Sequence, residues 1–441
     1  MTAHPNFRVD VYQNEFLPEG AREVNAIVTV ASDSSATGSH ASQTSQAGPS
    51  VAAAEVIIVD CSGSMDYPRG KMIAAKQATA AAIDALRDGV AFAVIAGTDQ
   101  ARLVYPLQPG LVAADARTRA AAKAAVNTLK AGGGTAIGRW LSLANTLFAG
   151  SGNAIRHAIL LTDGRNEHER PEALAHTLSV CEGKFVCDCR GVGTDWEVDE
   201  LRRVATALLG TVDIVADPSG LEADFRAMMA SAMSKAVADV VLRLWTPQGA
   251  SIKFVKQVAP EVADLTARRI ANGTQVGDYP TGAWGTESRD YHVCVEVKPA
   301  GVGDVMLAGR VSLVLTGTGG QDEVLGQGLV KATWTDDMVL STRINPEVAH
   351  YTGQAELADV IQEGLEARKT GDLDTATAKL GRAVALATKS GNTDTAALLA
   401  KVVDIDDPVT GTVRLKAKVS DEDTMTLDTR STKTSRVRKS S

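Results

Sequence analysis

The chain is short of aromatic residues: Phe, Trp and Tyr together make up 4% of its 441 positions. Its cores must therefore be filled mainly by Ala, Val, Leu and Ile. Cysteine is scarce too. Five residues, an odd number, do not make a disulfide framework, and a reducing compartment is the default. No apolar run reaches membrane-spanning length. The start, Met1-Thr2-Ala3-His4-Pro5, lacks the basic stretch and apolar core of a secretion signal. The expectation is a cytoplasmic protein with no membrane insertion. Positive charge is in deficit: the formal net charge is -8, which argues against nucleic acid as a partner. Chemistry-bearing patterns are also missing. The seven histidines show no metal-pair spacing. The run Gly191-Val192-Gly193-Thr194 is glycine-rich but lacks the Lys-Ser/Thr of a phosphate loop. No acid–base pair, no nucleophile with a histidine partner and no cofactor loop is visible, so no catalytic or cofactor-binding residue is assigned and an enzyme is not expected.

What is present falls into segments. Residues 1–31 hold two stretches of alternating polarity, around Phe7–Val11 and Ala26–Val30, which read as strands. Two strands cannot stand alone, so they are expected to join a later β unit. Residues 32–51 are almost entirely Ser, Ala, Gly, Thr and Gln, which predicts a flexible linker. Across 52–236 short apolar strands alternate with helical periods, the grammar of a mostly parallel sheet covered by helices on both faces. One of these helices is expected over 113–129 and another over 221–236. Over 237–346 strands follow one another between Gly- and Pro-rich turns, predicting a β-sandwich. Residues 347–406 turn helical, broken at Gly371-Asp372 and Gly391-Asn392, and 407–441 read as a flexible basic tail. The fold class is thus α/β, with a Rossmann-like domain inserted in or followed by a β-sandwich and a C-terminal helical bundle.

In a parallel sheet, ligands bind beyond the carboxyl ends of the strands. There the strand Glu55–Val59 runs into Asp60-Cys61-Ser62-Gly63-Ser64, delivering one carboxylate and two hydroxyls to one loop. A second loop, Gly132-Gly133-Gly134-Thr135, presents a hydroxyl at a helix start. A third, Leu161-Thr162-Asp163-Gly164, ends another apolar strand in a carboxylate. Hard oxygens of this kind suit Mg²⁺, Mn²⁺ or Ca²⁺ rather than Zn²⁺. The competing reading is a metal-free fold whose Ser and Thr only cap helices. Cys61, Cys187 and Cys189 read as small buried hydrophobes. His168, near Asp163, reads as a solvated loop residue.

These loops resemble the von Willebrand factor A family, also seen in integrin inserted domains. Its signature, the metal-ion-dependent adhesion site, is Asp-x-Ser-x-Ser followed by a distant Thr and a distant Asp. Residue by residue, Asp60, Ser62, Ser64, Thr135 and Asp163 match it, and the resemblance covers about 52–236. It implies a complete site holding one divalent cation, with a partner protein's Asp or Glu completing the shell. Gly63, Met65 and Gly164 are expected at the rim. The wider arrangement is similar to bacterial proteins with this domain, of the kind found in high-GC actinobacteria.

The resulting expectation is a metal-dependent adaptor. The alternative is an accessory subunit of an AAA-type ATPase complex, as in chelatases that contain this domain. One hairpin near Gly364–Leu386 resembles a tetratricopeptide unit, far short of an array. The tail sets Thr432 and Thr434 beside Arg430, Lys433 and Arg436. Threonine phosphorylation there by a Ser/Thr kinase would create an epitope for a forkhead-associated protein.

Overall fold

The computed structural model describes residues 5–33, 52–67, 70–152, 154–317, 321–434 and 436. Nearly all of the expected linker, 34–51, lies outside these residues, while 32–33 continue a strand. The chain forms two compact units, one of residues 40–238 and one built mainly of 3–39 and 239–441.

The chain opens with β1 (Asn6–Gln13), β2 (Phe16–Pro18) and β3 (Glu23–Asp33). It then runs through the α/β unit: β4 (Ala53–Asp60), α1 (Lys71–Ala85), β5 (Ala91–Gly97), β6 (Ala101–Tyr105), β7 (Val112–Ala113) and α2 (Ala116–Asn127). There follow α3 (Ile137–Phe148), β8 (Ile155–Thr162), α4 (Pro171–Cys181), β9 (Val186–Val192), α5 (Val198–Ala207), β10 (Val212–Val215) and α6 (Leu221–Met233).

The sheet order is β10-β9-β8-β4-β5-β6. The pairs β10–β9, β9–β8, β8–β4 and β4–β5 are parallel, and β6 and β7 run antiparallel to β5. This is the Rossmann-like α/β layer read from the sequence. All eight residues of β4 are buried, as a central strand covered on both faces requires. The helix expected over 113–129 begins three residues later. Val112 and Ala113 pair with β5, and Asp115 then caps α2 in a reciprocal box with Thr118. Likewise α6 stops at Met233, because Val237 already belongs to the next strand.

The second unit takes β1–β3 together with later strands: β11 (Val237–Trp245), β12 (Ser251–Ala259), β13 (Ala263–Asp264), β14 (Ile270–Ala271), β15 (Val276–Trp284), β16 (Ser288–Glu296), β17 (Val305–Leu315) and β18 (Glu323–Thr335). One sheet has the order β1-β3-β16-β12-β13, the other β14-β15-β11-β17-β18-β2. Phe7 meets the buried Trp284 edge-on across the two sheets, with ring centroids 5.7 Å apart. A side chain on Gly326 or Gly328 would strike Val9 or Val11, so these glycines let the layers close.

After α7 (Met338–Ser341), three helices follow: α8 (Pro346–Thr370), α9 (Leu373–Ser390) and α10 (Thr393–Val402). Gly371 and Gly391 end α8 and α9 with φ of 84° and 66°, and Asp372 and Asn392 cap the next helices. Gly364 lets α8 and α9 approach, since a methyl there would sit 2.9 Å from Leu380.

Residues 407–434 are not the free tail expected, and 435 and 437–441 lie outside the described residues. β19 (Val403–Asp407) pairs with β20 (Thr412–Leu415), and α11 (Asp421–Arg430) follows. Val413 and Leu427 are buried in one cluster with Leu380 and Leu399. A few apolar residues spaced among many charges suffice, because they close an existing core rather than build their own.

Buried charge crosses the middle of the α/β sheet. His157 on β8 lies between Glu55 on β4 and Asp188 on β9, with its Nδ1 2.9 Å from Glu55 and its Nε2 3.0 Å from Asp188. Asp188 also accepts the Thr211 amide at 2.7 Å. Burial opposes charge on His157, but the charge of Glu55 and the hydrogen bonds of both carboxylates push it up to about 10. Because this folded value is above the ordinary histidine value, its contribution to stability is complete below about pH 6.5 and lost as pH rises through about 10. His157→Gln should therefore cost roughly 3–5 kcal/mol at pH 7, the order expected for stranding buried charges. Urea unfolding at pH 7 and pH 10 would show the gap to wild type narrowing with pH. A small gap that does not change with pH would contradict the cationic assignment.

Candidate functional site

Asp60 ends β4 fully buried. Its Oδ1 accepts the Ser62 amide at 2.7 Å and its Oδ2 the Thr162 hydroxyl at 2.5 Å. Burial pushes its carboxyl up to about 6 against these hydrogen bonds, and the nearby charge of Asp163 adds to the rise. A cation at this point would relieve both effects. Ser62 lies in the following loop with its Oγ 2.9 Å from Ser64 Oγ. Ser64 in turn donates to Asp163 Oδ1 at 2.6 Å. Asp163 follows β8 directly and is fully buried.

Thr135 comes from the loop before α3, and hydrogen bonds stitch this loop to the first. The Gly63 amide donates to the Gly133 carbonyl at 3.0 Å, and the Gly132 amide to the Cys61 carbonyl at 2.8 Å. Gly133 has φ of +87°, and a side chain there would also press on Asp99. The three loops meet over Gly164. A methyl group on it would sit 3.1 Å from Ser64 Oγ, 3.2 Å from Thr135 Oγ1 and 3.8 Å from Ser62 Oγ. A side chain at position 164 would therefore crowd these hydroxyls. Two carboxylates and three hydroxyls are thus brought together, a hard-oxygen set that fits a divalent cation such as Mg²⁺, Mn²⁺ or Ca²⁺. Among the described residues no group of three or more His, Cys, Asp or Glu forms a metal cluster.

Several supporting residues escape a motif search. Lys71, the first residue of α1, points its Nζ at Asp163 Oδ2 (2.7 Å) and Asp195 Oδ2 (3.1 Å). Burial works against its charge, but the hydrogen bond and charge of Asp163, with those of Asp195, raise its pKa overall. The available signal was a lysine in a first helical turn, where the helix dipole disfavours a cation. Asn166 Oδ1 accepts the Ile137 amide at 2.8 Å and Glu169 the Gly138 amide at 2.6 Å, so both cap α3. His168 is exposed, as a loop residue should be, but it does more. Its Nδ1 accepts the Thr135 amide at 3.1 Å and its own amide donates to the Thr135 carbonyl at 3.0 Å. Trp140 packs under Gly97, where a methyl would clash at 2.4 Å, and ties its Nε1 to the Thr98 carbonyl.

Met65 is not at the rim. It is fully buried in the core of the unit, and Tyr67, 81% exposed, stands outside instead. Cys61, Cys187 and Cys189 are buried free thiols, as small hydrophobes.

The chain is similar to several known proteins. Residues 54–214 match the model of the von Willebrand factor type A domain, and 385–431 that of the von Willebrand factor type A C-terminal domain. An uncharacterized protein of Synechocystis is 32% identical over 217 residues, 48% of this chain and 50% of that protein. The chain thus spans about half the length of that curated relative. A solved von Willebrand factor type A structure from Catenulispora acidiphila is 54% identical, with a TM-score of 0.93 over 99% of this chain and 98% of that one. The ArnB paralog VWA2 from Sulfolobus acidocaldarius shares the fold at 15% identity, with a TM-score of 0.61 over 96% of this chain and 97% of that one. Domains of this kind generally mediate metal-dependent protein interactions and commonly bind a divalent ion. With the family model on the α/β unit and a relative of 54% identity matched almost end to end, the chain belongs to the von Willebrand factor type A family.

Proposed function

We propose that this chain is an adaptor that grips an acidic side chain of a partner protein through a divalent cation held by Asp60, Ser62, Ser64, Thr135 and Asp163. The observation that carries the reading is the convergence of the Ser62, Ser64 and Thr135 hydroxyls, from two loops, around Gly164 of a third, with Ser64 also donating to Asp163. The bound ion would supply Lewis acidity toward an anionic oxygen. The protein's part is to hold the shell. Thr162 and the Ser62 amide orient Asp60, Ser64 orients Asp163, and His168 fixes the Thr135 backbone. Three of the five donors are neutral hydroxyls, so the two carboxylates no more than balance the ion's charge, and a coordination position left to water would favour an incoming carboxylate. Mg²⁺ is the preferred ion in this reading, with Mn²⁺ or Ca²⁺ as substitutes.

The test is calorimetry with Mg²⁺ and Mn²⁺, paired with partner capture in the presence and absence of a chelator. Thr135→Ala and Asp60→Ala should weaken ion uptake at least about tenfold, one hydroxyl or carboxylate contact's worth or more, and abolish capture. Circular dichroism should show the fold retained. Capture that survives both substitutions and the chelator would rule the mechanism out. An AAA-type ATPase among metal-dependent partners would instead make this chain an accessory subunit of an ATP-driven machine.

The reading extends to the C-terminus, where Thr434 is proposed as a phosphorylation site recognised by a forkhead-associated protein. Its Oγ1 donates to the Val258 carbonyl at 2.6 Å and its amide to the Pro260 carbonyl at 3.0 Å. The Val262 amide donates to the Thr432 carbonyl at 2.8 Å. A phosphate at Thr434 could not donate to Val258 and would set negative charge against carbonyl oxygens, so modification must release the segment. Thr434→Glu should accelerate hydrogen exchange of the Val262 amide at least about tenfold, the loss of roughly one hydrogen bond's worth of protection. Thr434→Val should do so less. Unchanged protection in Thr434→Glu would count against a switch at this position.

A further inference from the structure

Lys71 occupies an expensive position. It opens α1, where the exposed amides of a helix start repel a cation, and α1 has no acidic residue in its first turn to offset this. Its side chain is 3% exposed, and removing an ammonium from water is costly. Gly193, with φ of +67°, leaves room along the lysine stem: even a methyl there would only touch Lys71 Cε at 3.6 Å. The ammonium ends 2.7 Å from Asp163 Oδ2, on the carboxylate whose other oxygen accepts from Ser64. Asp195, the second partner, is 68% exposed and well screened by water.

We infer that Lys71 is a built-in cation of the metal site, which shares Asp163 with the bound ion, lowers the site's metal affinity and leaves the loaded site with excess positive charge for a partner's carboxylate. The inference rests on the metal reading given under the proposed function and adds a determinant of its affinity. A divalent ion is balanced by Asp60 and Asp163, and Lys71 then leaves a positive charge that the exposed, water-screened Asp195 offsets only in part. The site thereby trades grip on its metal for grip on an anion. A lysine kept only for folding would behave in the opposite way, since its loss would loosen the loop and weaken metal binding.

Mn²⁺ titration of the full chain by calorimetry separates these. Lys71→Met should bind Mn²⁺ at least about tenfold more tightly than wild type, because a like charge next to the ion has gone. Lys71→Arg, which keeps the charge, should remain closer to wild type than Lys71→Met does. Should Lys71→Met not fold, Lys71→Gln, which keeps a donor for Asp163, should tighten binding in the same direction. Equal or weaker Mn²⁺ binding in the folded neutral variant overturns the inference while the metal reading stands. Absence of Mn²⁺ uptake by the wild-type protein overturns both.

Discussion

The fate of Asp60 governs the rest of this site. A carboxylate at the end of a central, fully covered strand is out of reach of water, and burying it unpaired would cost several kcal/mol. The fold answers with the Ser62 amide and the Thr162 hydroxyl, while the nearby charge of Asp163 adds to the cost. The hydrogen bonds orient the group, but burial still raises its pKa, and more oxygen atoms add no positive charge. A cation is the natural complement to such a cluster, and Lys71 brings one to Asp163 from the chain itself.

The geometry around that cluster follows from parallel-sheet topology. β4 and β8 are parallel neighbours that end at the same edge, which sets Thr162 level with Asp60 and Asp163 one residue beyond it. The Thr135 loop has no such guarantee. It is brought in by backbone hydrogen bonds to Cys61 and Gly63 and clamped from the other side by Asn166, His168 and Glu169. Glycines at 133 and 164 make this possible, the first by its left-handed backbone and the second by the space it leaves.

The alternation of strand and helix, and the loop that each motif residue would occupy, were legible because apolar runs and polar loop residues are local signals. So were the helix breaks at Gly371 and Gly391, where a left-handed cap is followed at once by a capping Asp or Asn. What escaped was long-range. Glu55, His157 and Asp188 sit within strands that read as apolar, and only their adjacency across three strands makes their charges tolerable. Lys71 looked like an ordinary helical lysine, since its partners lie 92 and 124 residues away. The hairpin and helix after residue 403 were hidden by their charge, because Val413 and Leu427 are few and bury themselves in a core supplied by earlier helices. Met65 was misplaced for a related reason: loop membership does not say which way a side chain turns.

The central claim is that a cation sits among these loops, and anomalous diffraction from crystals of the protein grown with Mn²⁺ addresses it directly. The account predicts a manganese peak among the hydroxyls of Ser62, Ser64 and Thr135, next to Asp60 and Asp163. A map with no peak there, or with Mn²⁺ bound only at other surfaces, would contradict it.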